Sequence, residues 1–504
     1  MGSGASSLVL AGWVLIIVYM AITLFFVIRG ALKVKTIDDY TVGNVNFPPW
    51  TIGFALAASM TSAATFVINP GLVANYGISG FISYGLVYPA AAMISLVVLT
   101  IGFRKFGSSV KAGTLAQWMG KRYESKGYEL FFAFLSLLLL TFIVLIAVGL
   151  TKVIAQTLAV PELYVLIATV LFIFGYMMFG GANSMVYTNT VQAIIMLVVA
   201  LIMLGSGYHY FDDGIGGFIN KLGKIDTKLV SLYNDSSFLF RDFFEIFIAQ
   251  IVIGIAIVCQ PHIITKSLLI KDPKGVKSYL ISGVIVQTIF FLVVFVGLYA
   301  RLQFPDLTLN GQPLKNDGII PAYVTTVFPV FVSLIVVLGL ISAGVSTLEG
   351  LVQSLSTSVT QDLIKPIFFN KIAKKEPTAK QLMVTNKIVI GILAVVAILM
   401  SYDQLVNPKL SVAIFAQNGV YAYFSAAFVP IIFGMFLKNV KSTTVIVASV
   451  IAISVHFIMY YGKLTVPFTV ATGENPGVAA AVAIVLSVVA GLAIHFSTRE
   501  RVAQ

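Results

Sequence analysis

Apolar runs about twenty residues long recur along nearly the whole chain, and that recurrence limits the fold more than any motif does. Roughly 20 apolar residues cross a bilayer as one helix. Backbone in hydrocarbon must satisfy its own hydrogen bonds, which restricts spanning structures to helices and closed barrels. Thirteen runs fall near 8–28, 50–73, 81–103, 129–154, 163–180, 184–206, 243–267, 278–300, 328–360, 383–402, 409–437, 442–461 and 477–496. They predict an all-α polytopic membrane protein with about 13 transmembrane helices. Only 10% of the 504 residues are charged, against about 25% in soluble domains, so no stretch reads as a separate soluble domain.

Charge sets the expected orientation. With the N-terminus outside, the segments near 29–46, 104–128, 266–277, 361–387, 438–441 and the tail from 497 are cytoplasmic, and they hold 23 of the 32 Lys and Arg. Cytoplasmic loops carry such an excess, which places the C-terminus in the cytoplasm and the protein in the plasma membrane. The net charge of +12 is then a topology signal, and no nucleic acid partner is expected. Lys152, inside a run, is expected to snorkel to the interface. The single cysteine, Cys259, excludes an intrachain disulfide and a Cys-built metal site. The external segments 207–242 and 301–327 read as structured surface loops.

Two of the runs are interrupted. Residues Ala57–Pro70, AASMTSAATFVINP, crowd Ser59, Thr61, Ser62, Ala63, Ala64 and Thr65 into the middle of the second run. Broken helices in secondary transporters expose carbonyls and helix ends near the midplane, where ions and substrates bind. Close packing of an intact helix through small residues has the same composition, and this stretch alone leaves both open. The run at 243–267 carries Gln250, Gly254, Gln260 and Pro261. With span 8–28 set aside, 50–206 and 243–437 each hold five spans and each begin with an interrupted one, while 442–496 adds two more. An odd number of spans per set gives the sets opposite orientation, as an inverted repeat demands.

Glu349, in LISAGVSTLEGLVQSLSTSV, is the one carboxylate expected deep in a span. A charge at a helix centre costs at least ~2.5–3.5 kcal/mol on insertion scales, which makes it a functional candidate, with a hydrogen-bonded structural glutamate as the alternative. Ala343, Ser346 and Thr347, three and four apart, share a helical face. Two hydroxyls and a carbonyl there can offer oxygens to a hard cation, although such hydroxyls also bond back to their own backbone. The four histidines (His209, His262, His456, His495) are scattered, and neither HExxH nor GxSxG occurs, so a membrane enzyme finds no support.

Several strings together resemble the sodium:solute symporter family. Ala58–Phe66 with Pro70 and Tyr76-Gly77 resembles its first core helix, and GGANSMVYTNTVQ (180–192) its fifth. CQPHIITKSLLIKD (259–272) is similar to the sixth helix of its proline and pantothenate permeases, and Ser342–Lys365 to the eighth. The resemblance implies a leucine-transporter-type 5+5 inverted repeat with one extra helix before it and two after, and sodium-coupled uptake of a solute. Carried over by motif, it implies a sodium site built from the carbonyls of Ala58, Thr61 and Ala343 and the hydroxyls of Ser346 and Thr347. Some members hold a second sodium with an aspartate on the fifth helix. The matching position is Asn189, whereas Glu349 stands on the eighth helix where a hydroxyl is common. Glu349 and Asn189 are therefore expected to face each other, as a relocated cation site or a protonatable pair. The resemblance also places the solute beside Ser62, Ala63, Thr65, Tyr84, Tyr88, Ile253, Ala256, Gln417 and Asn418. A helix N-terminus at the break favours an anionic group, so a small carboxylate or an amino acid is expected. The small aliphatics on the sixth helix argue against a sugar. Proton-coupled transport through Glu349 and a nutrient sensor that binds without transporting are the competing functions.

Overall fold

The computed structural model describes residues 3–110, 112–407 and 412–503. Among them, ten helices are long and apolar enough to cross a bilayer: Val9–Ala31, Ile78–Lys105, Lys126–Leu158, Gly181–Phe211, Pro273–Gln303, Val330–Ile372, Ala379–Val406, Val412–Phe436, Ser442–Gly462 and Pro476–Thr498. Two further apolar stretches are pairs of helices bent at a short break. Pro49–Met60 meets Ala64–Tyr76 at 62°, and Phe244–Cys259 meets Pro261–Leu269 at 64°. Glu162–Met177 is apolar but shorter. The expected start of one span at 409 lies outside the described residues, and its helix is seen from Val412.

The lateral surface is apolar. Ile17, Phe25, Ile94, Leu201, Ile285, Ile392 and Leu399 are all exposed, a distribution that suits hydrocarbon as the solvent. Polar side chains are instead concentrated inside, including Ser59, Thr61, Asn189, Gln287, Ser346 and Glu349. Regular structure outside the spans includes the helix Gly214–Ile225, which buries Phe218 and Leu222, and a hairpin pairing Thr308–Leu309 with Gln312–Pro313.

The two bent pairs are packed crosswise. Pro49–Met60 lies along Val276–Leu292, and Tyr88–Val110 lies along Ala249–Ala256. Each contact passes through a glycine. A Cβ on Gly53 would come within 2.5 Å of the Tyr279 carbonyl oxygen, and one on Gly254 within 2.6 Å of that of Tyr88. Small residues let membrane helices approach this closely. The long helix Val330–Ser358 packs on Pro49–Met60, Leu140–Leu158 and Gly181–Gly205 at the centre of the molecule.

The structure corrects three expectations about charge. Lys266, counted in a loop, is 3% exposed, because the second arm of its bent pair turns back into the protein. Lys152 does not simply snorkel: it is paired with Asp317 from the segment before Ile319–Val327. Glu349 is joined by two other fully buried carboxylates, Glu245 and Asp362. Glu245 accepts from Arg241 Nη2 at 2.6 Å and the Arg241 amide at 2.7 Å. Asp362 accepts from Thr114 at 2.6 Å, Ser358 at 2.8 Å and Gln117 at 2.9 Å.

Candidate functional site

The first break is made by Thr61 and Ser62. The Thr61 amide bonds the carbonyls of Ala57 at 3.1 Å and Ala58 at 3.3 Å, and its backbone then leaves the helix at φ −106°, ψ 106°. The Ser62 hydroxyl accepts from the Ala64 amide at 3.2 Å, supplying one of the bonds that a new helix start lacks. Gln287 Nε2 pins the Thr61 hydroxyl at 2.7 Å.

Freed by the break, two carbonyls face the helix Val330–Ser358. Ser346 donates to the Ala58 carbonyl at 2.9 Å and Thr347 to that of Thr61 at 3.2 Å. Both hydroxyls also reach the Ala343 carbonyl, at 3.1 and 3.0 Å. Oxygens of Ala58, Thr61, Ala343, Ser346 and Thr347 thus converge at one buried point. A donor set of neutral oxygens, without nitrogen or sulfur, suits a hard cation.

A second polar cluster lies beside the first. Glu349 accepts from the Tyr176 hydroxyl and, at 2.7 Å, from Thr188. Asn189 lies between Glu349 and Lys266. The amide orientation that satisfies both neighbours puts its nitrogen 2.5 Å from Glu349 Oε2 and its oxygen 3.2 Å from Lys266 Nζ. Lys266 also donates to the Ser59 hydroxyl. Asn189 and Glu349 do face each other, as expected, with Lys266 joined to the same cluster.

Next to the break is a cavity of about 100 Å³. Ser62, Thr65, Tyr84, Tyr88 and Gln417 line it. The other four expected solute residues do not. Ala63 lines a separate cavity with Lys152 and Asp317. On the second bent pair, Gln250 and Ile257 line the cavity, while Ile253 and Ala256 are fully buried in packing. Ile253 sits against Gly477. Asn418 faces the helix Ser442–Gly462, where its side-chain oxygen accepts from His456 Nε2 at 2.9 Å.

The profile of the sodium:solute symporter family matches residues 40–452. The chain belongs to this family. A sodium/pantothenate symporter of Haemophilus influenzae is 27% identical over 355 residues, covering 68% of this chain and 71% of that one. A sodium/sialic acid symporter of Proteus mirabilis is 23% identical over 397 residues, covering 74% of each. Among solved structures, a Na+-coupled sialic acid symporter in a substrate-bound, outward-open state superposes with a TM-score of 0.76 at 17% identity, covering 95% of this chain and 97% of the other. A manganese transporter of Eremococcus coleocola superposes at 0.50 and 13% identity, covering 88% and 94%. The protein is therefore a membrane-embedded transporter of the sodium:solute symporter family and not an enzyme.

Five polar residues that line the cavity were not singled out from the sequence as solute contacts: Asn69, Gln250, Gln260, His262 and Tyr421. Gln260 Oε1 and His262 Nδ1 are buried without a hydrogen-bond partner in the protein. Buried polar atoms are nearly always paired, so these two are suited to meet a ligand. The available signal was the Gln-Pro-His string itself, since a residue before proline is pushed into an extended conformation. Gln260 is extended, at φ −69°, ψ 140°. Among the described residues no carboxylate, lysine or arginine lines the cavity.

Proposed function

We propose that this protein is a sodium-coupled symporter that imports a small organic solute, a carboxylate or an amino acid, by alternating access. The observation that carries this is the convergence of five neutral oxygens from the first broken helix and Val330–Ser358 beside a cavity whose largely apolar lining carries a few hydroxyl and amide groups. Sodium, the first substrate of the cycle, would displace the two hydroxyl hydrogens from the carbonyls and hold the break in one geometry. Ser62 and Thr65, just past that break, line the cavity, so sodium binding orders the solute site.

The architecture in this proposal is a 5+5 inverted repeat over 50–206 and 243–437, with Glu162–Met177 as the shortest of thirteen spans. The crosswise packing supports it, because the first element of each set lies against the second element of the other, which a two-fold axis in the membrane plane requires. The basic segments orient the N-terminus outside and the C-terminus in the cytoplasm of a plasma membrane. Inward movement of one sodium ion with a zwitterionic amino acid gains about 2.3 kcal/mol per 100 mV, enough to concentrate it more than tenfold at 1.4 kcal/mol per decade, whereas with a carboxylate anion the pair carries no net charge and the sodium gradient alone drives uptake.

Relatives named for pantothenate and sialic acid, both carboxylates, fit the solute class, and relatives named for glucose make sugars the necessary comparison. With no lysine or arginine among the described residues that line the cavity, a carboxylate would be held by hydroxyl and amide donors such as Ser62, Thr65 and Gln417. Uptake into proteoliposomes, competed by a panel of small acids, amino acids and sugars, identifies the solute. Uptake and affinity that are indifferent to replacing sodium by choline sink the proposal. Proton coupling through Glu349 is favoured by one observation, the complete burial of that carboxylate, because leaving water penalises the charged form. Sodium-free uptake driven by a pH gradient selects it, provided that gradient-driven uptake is lost in Glu349→Gln.

A further inference from the structure

The five-oxygen site leaves one buried cation unused. Lys266 is carried by Pro261–Leu269, the second arm of the second bent pair, and is 3% exposed. Its ammonium donates to Ser59 Oγ and lies 3.2 Å from Asn189 Oδ1. From the other side of the same amide, the Asn189 nitrogen meets Glu349 Oε2 at 2.5 Å and Gln192 Oε1 at 2.9 Å. A positive and a negative charge therefore share one polar pocket, separated by a single asparagine. A hydroxyl, an amide oxygen and a carboxylate are also what a hard monovalent cation needs.

We propose that the Lys266 ammonium is a tethered cation that takes the place of a second ion beside Glu349, so that the transporter binds one sodium per cycle. The inference rests on the sodium-symport proposal above and adds the ion count to it. Glu349 then balances a charge that never leaves the protein. Taking a charge out of water is costly unless it is paired and hydrogen-bonded, and the Ser59, Asn189 and Glu349 groups meet that need. A mobile cation entering the same oxygens would meet the ammonium at close range, where like charges repel in a low-dielectric interior. The placement also bears on the first site. Ser59 adjoins Ala58, whose carbonyl belongs to the five oxygens. The break is thus held by a fixed cation on one side and an exchangeable one on the other.

The test is equilibrium binding of radiolabelled sodium to the purified full-length protein in lipid nanodiscs. The wild type should bind one ion per chain, and Lys266→Met two, because the carboxylate is left to attract a mobile cation. Removing that carboxylate as well, in Lys266→Met/Glu349→Gln, should return the count to one. Two ions bound by the wild type, or one bound by Lys266→Met, overturns the tethered cation and leaves sodium symport standing. No sodium bound by the wild type overturns both. Should Lys266→Met fail to fold, Lys266→Gln keeps a hydrogen-bond donor to Ser59 without the charge, and the same counts apply.

Discussion

The two broken helices bend by nearly the same amount, 62° and 64°, but their breaks are chemically opposite. The first is opened by hydroxyl residues and turns bare carbonyls toward Val330–Ser358. The second is opened by Pro261, which has no N–H and forces Gln260 out of the helix. Beyond that break come His262 at the cavity and Lys266 at Glu349. In the proposed cycle one break supplies oxygen to a cation, and the other supplies a cation to oxygen. A similar bend thus serves two tasks, and side chains at and beyond the break decide which.

The largest expected effect comes from separating the buried charges. Glu349→Gln leaves Lys266 without its counter-charge; the two are joined through Asn189 and not in direct contact, so the loss should approach but not exceed the about 3–5 kcal/mol of a directly paired buried charge. Thermal unfolding in detergent should show that loss, with Lys266→Met/Glu349→Gln recovering part of it, since neighbouring sites are not additive. Sodium should relieve the instability of Lys266→Met but not that of Glu349→Gln. A double variant no more stable than Glu349→Gln would mean the charges are uncoupled, and the contrast between the breaks would lose its second half.

The next effect tests the first break. A hydrogen-bonding group facing a charge contributes about 1.5–3 kcal/mol, so Ser346→Ala or Thr347→Val should weaken sodium affinity roughly 10- to 100-fold at 1.4 kcal/mol per decade. Titration of sodium-dependent solute binding measures it. A change under about twofold, far short of one decade per 1.4 kcal/mol, would remove the five-oxygen cluster from the mechanism.

These two sites were not equally legible in the sequence. Ala343, Ser346 and Thr347 lie on one uninterrupted helix, where spacing alone assigns a face, and the broken-helix motif supplied Ala58 and Thr61. Lys266 was not legible, because its apolar run ends near 267 and basic residues at run ends normally sit in loops. Only the 64° turn returns it to the interior. Ile253 and Ala256 are buried in packing while Gln250 and Ile257 line the cavity, a difference that composition alone does not fix. The burial of Asp362 was hidden as well, since its partner Thr114 is 248 residues away.

A smaller effect belongs to the second break. Gln260→Met removes an amide oxygen that has no hydrogen-bond partner in the protein and one Nε2 bond to the Ile257 carbonyl at 3.2 Å, so stability should fall by no more than about 0.5–1.5 kcal/mol. Solute affinity should fall by about 1–2 kcal/mol if that oxygen meets the ligand, a loss of roughly 5- to 30-fold at 1.4 kcal/mol per decade. Competition uptake with the identified solute gives the number. A melting temperature that drops while affinity holds would assign Gln260 to the architecture of the break alone.

The smallest effect concerns Lys152, whose partner Asp317 and neighbours Ala63 and Ala64 line one cavity. The two side chains are 40% and 28% exposed, and pairs of that kind contribute about 0.2–1 kcal/mol, less as salt rises. Lys152→Met should therefore lower stability by no more than about 1 kcal/mol, with the difference shrinking in concentrated salt. Sodium affinity should stay within about twofold, because the ammonium is partly in contact with solvent and screened. The comparison with Ser346→Ala is what gives this variant its value. A sodium defect of similar size in both would mean that charge near the first break matters as much as its oxygens, and the two breaks would then differ in degree and not in kind.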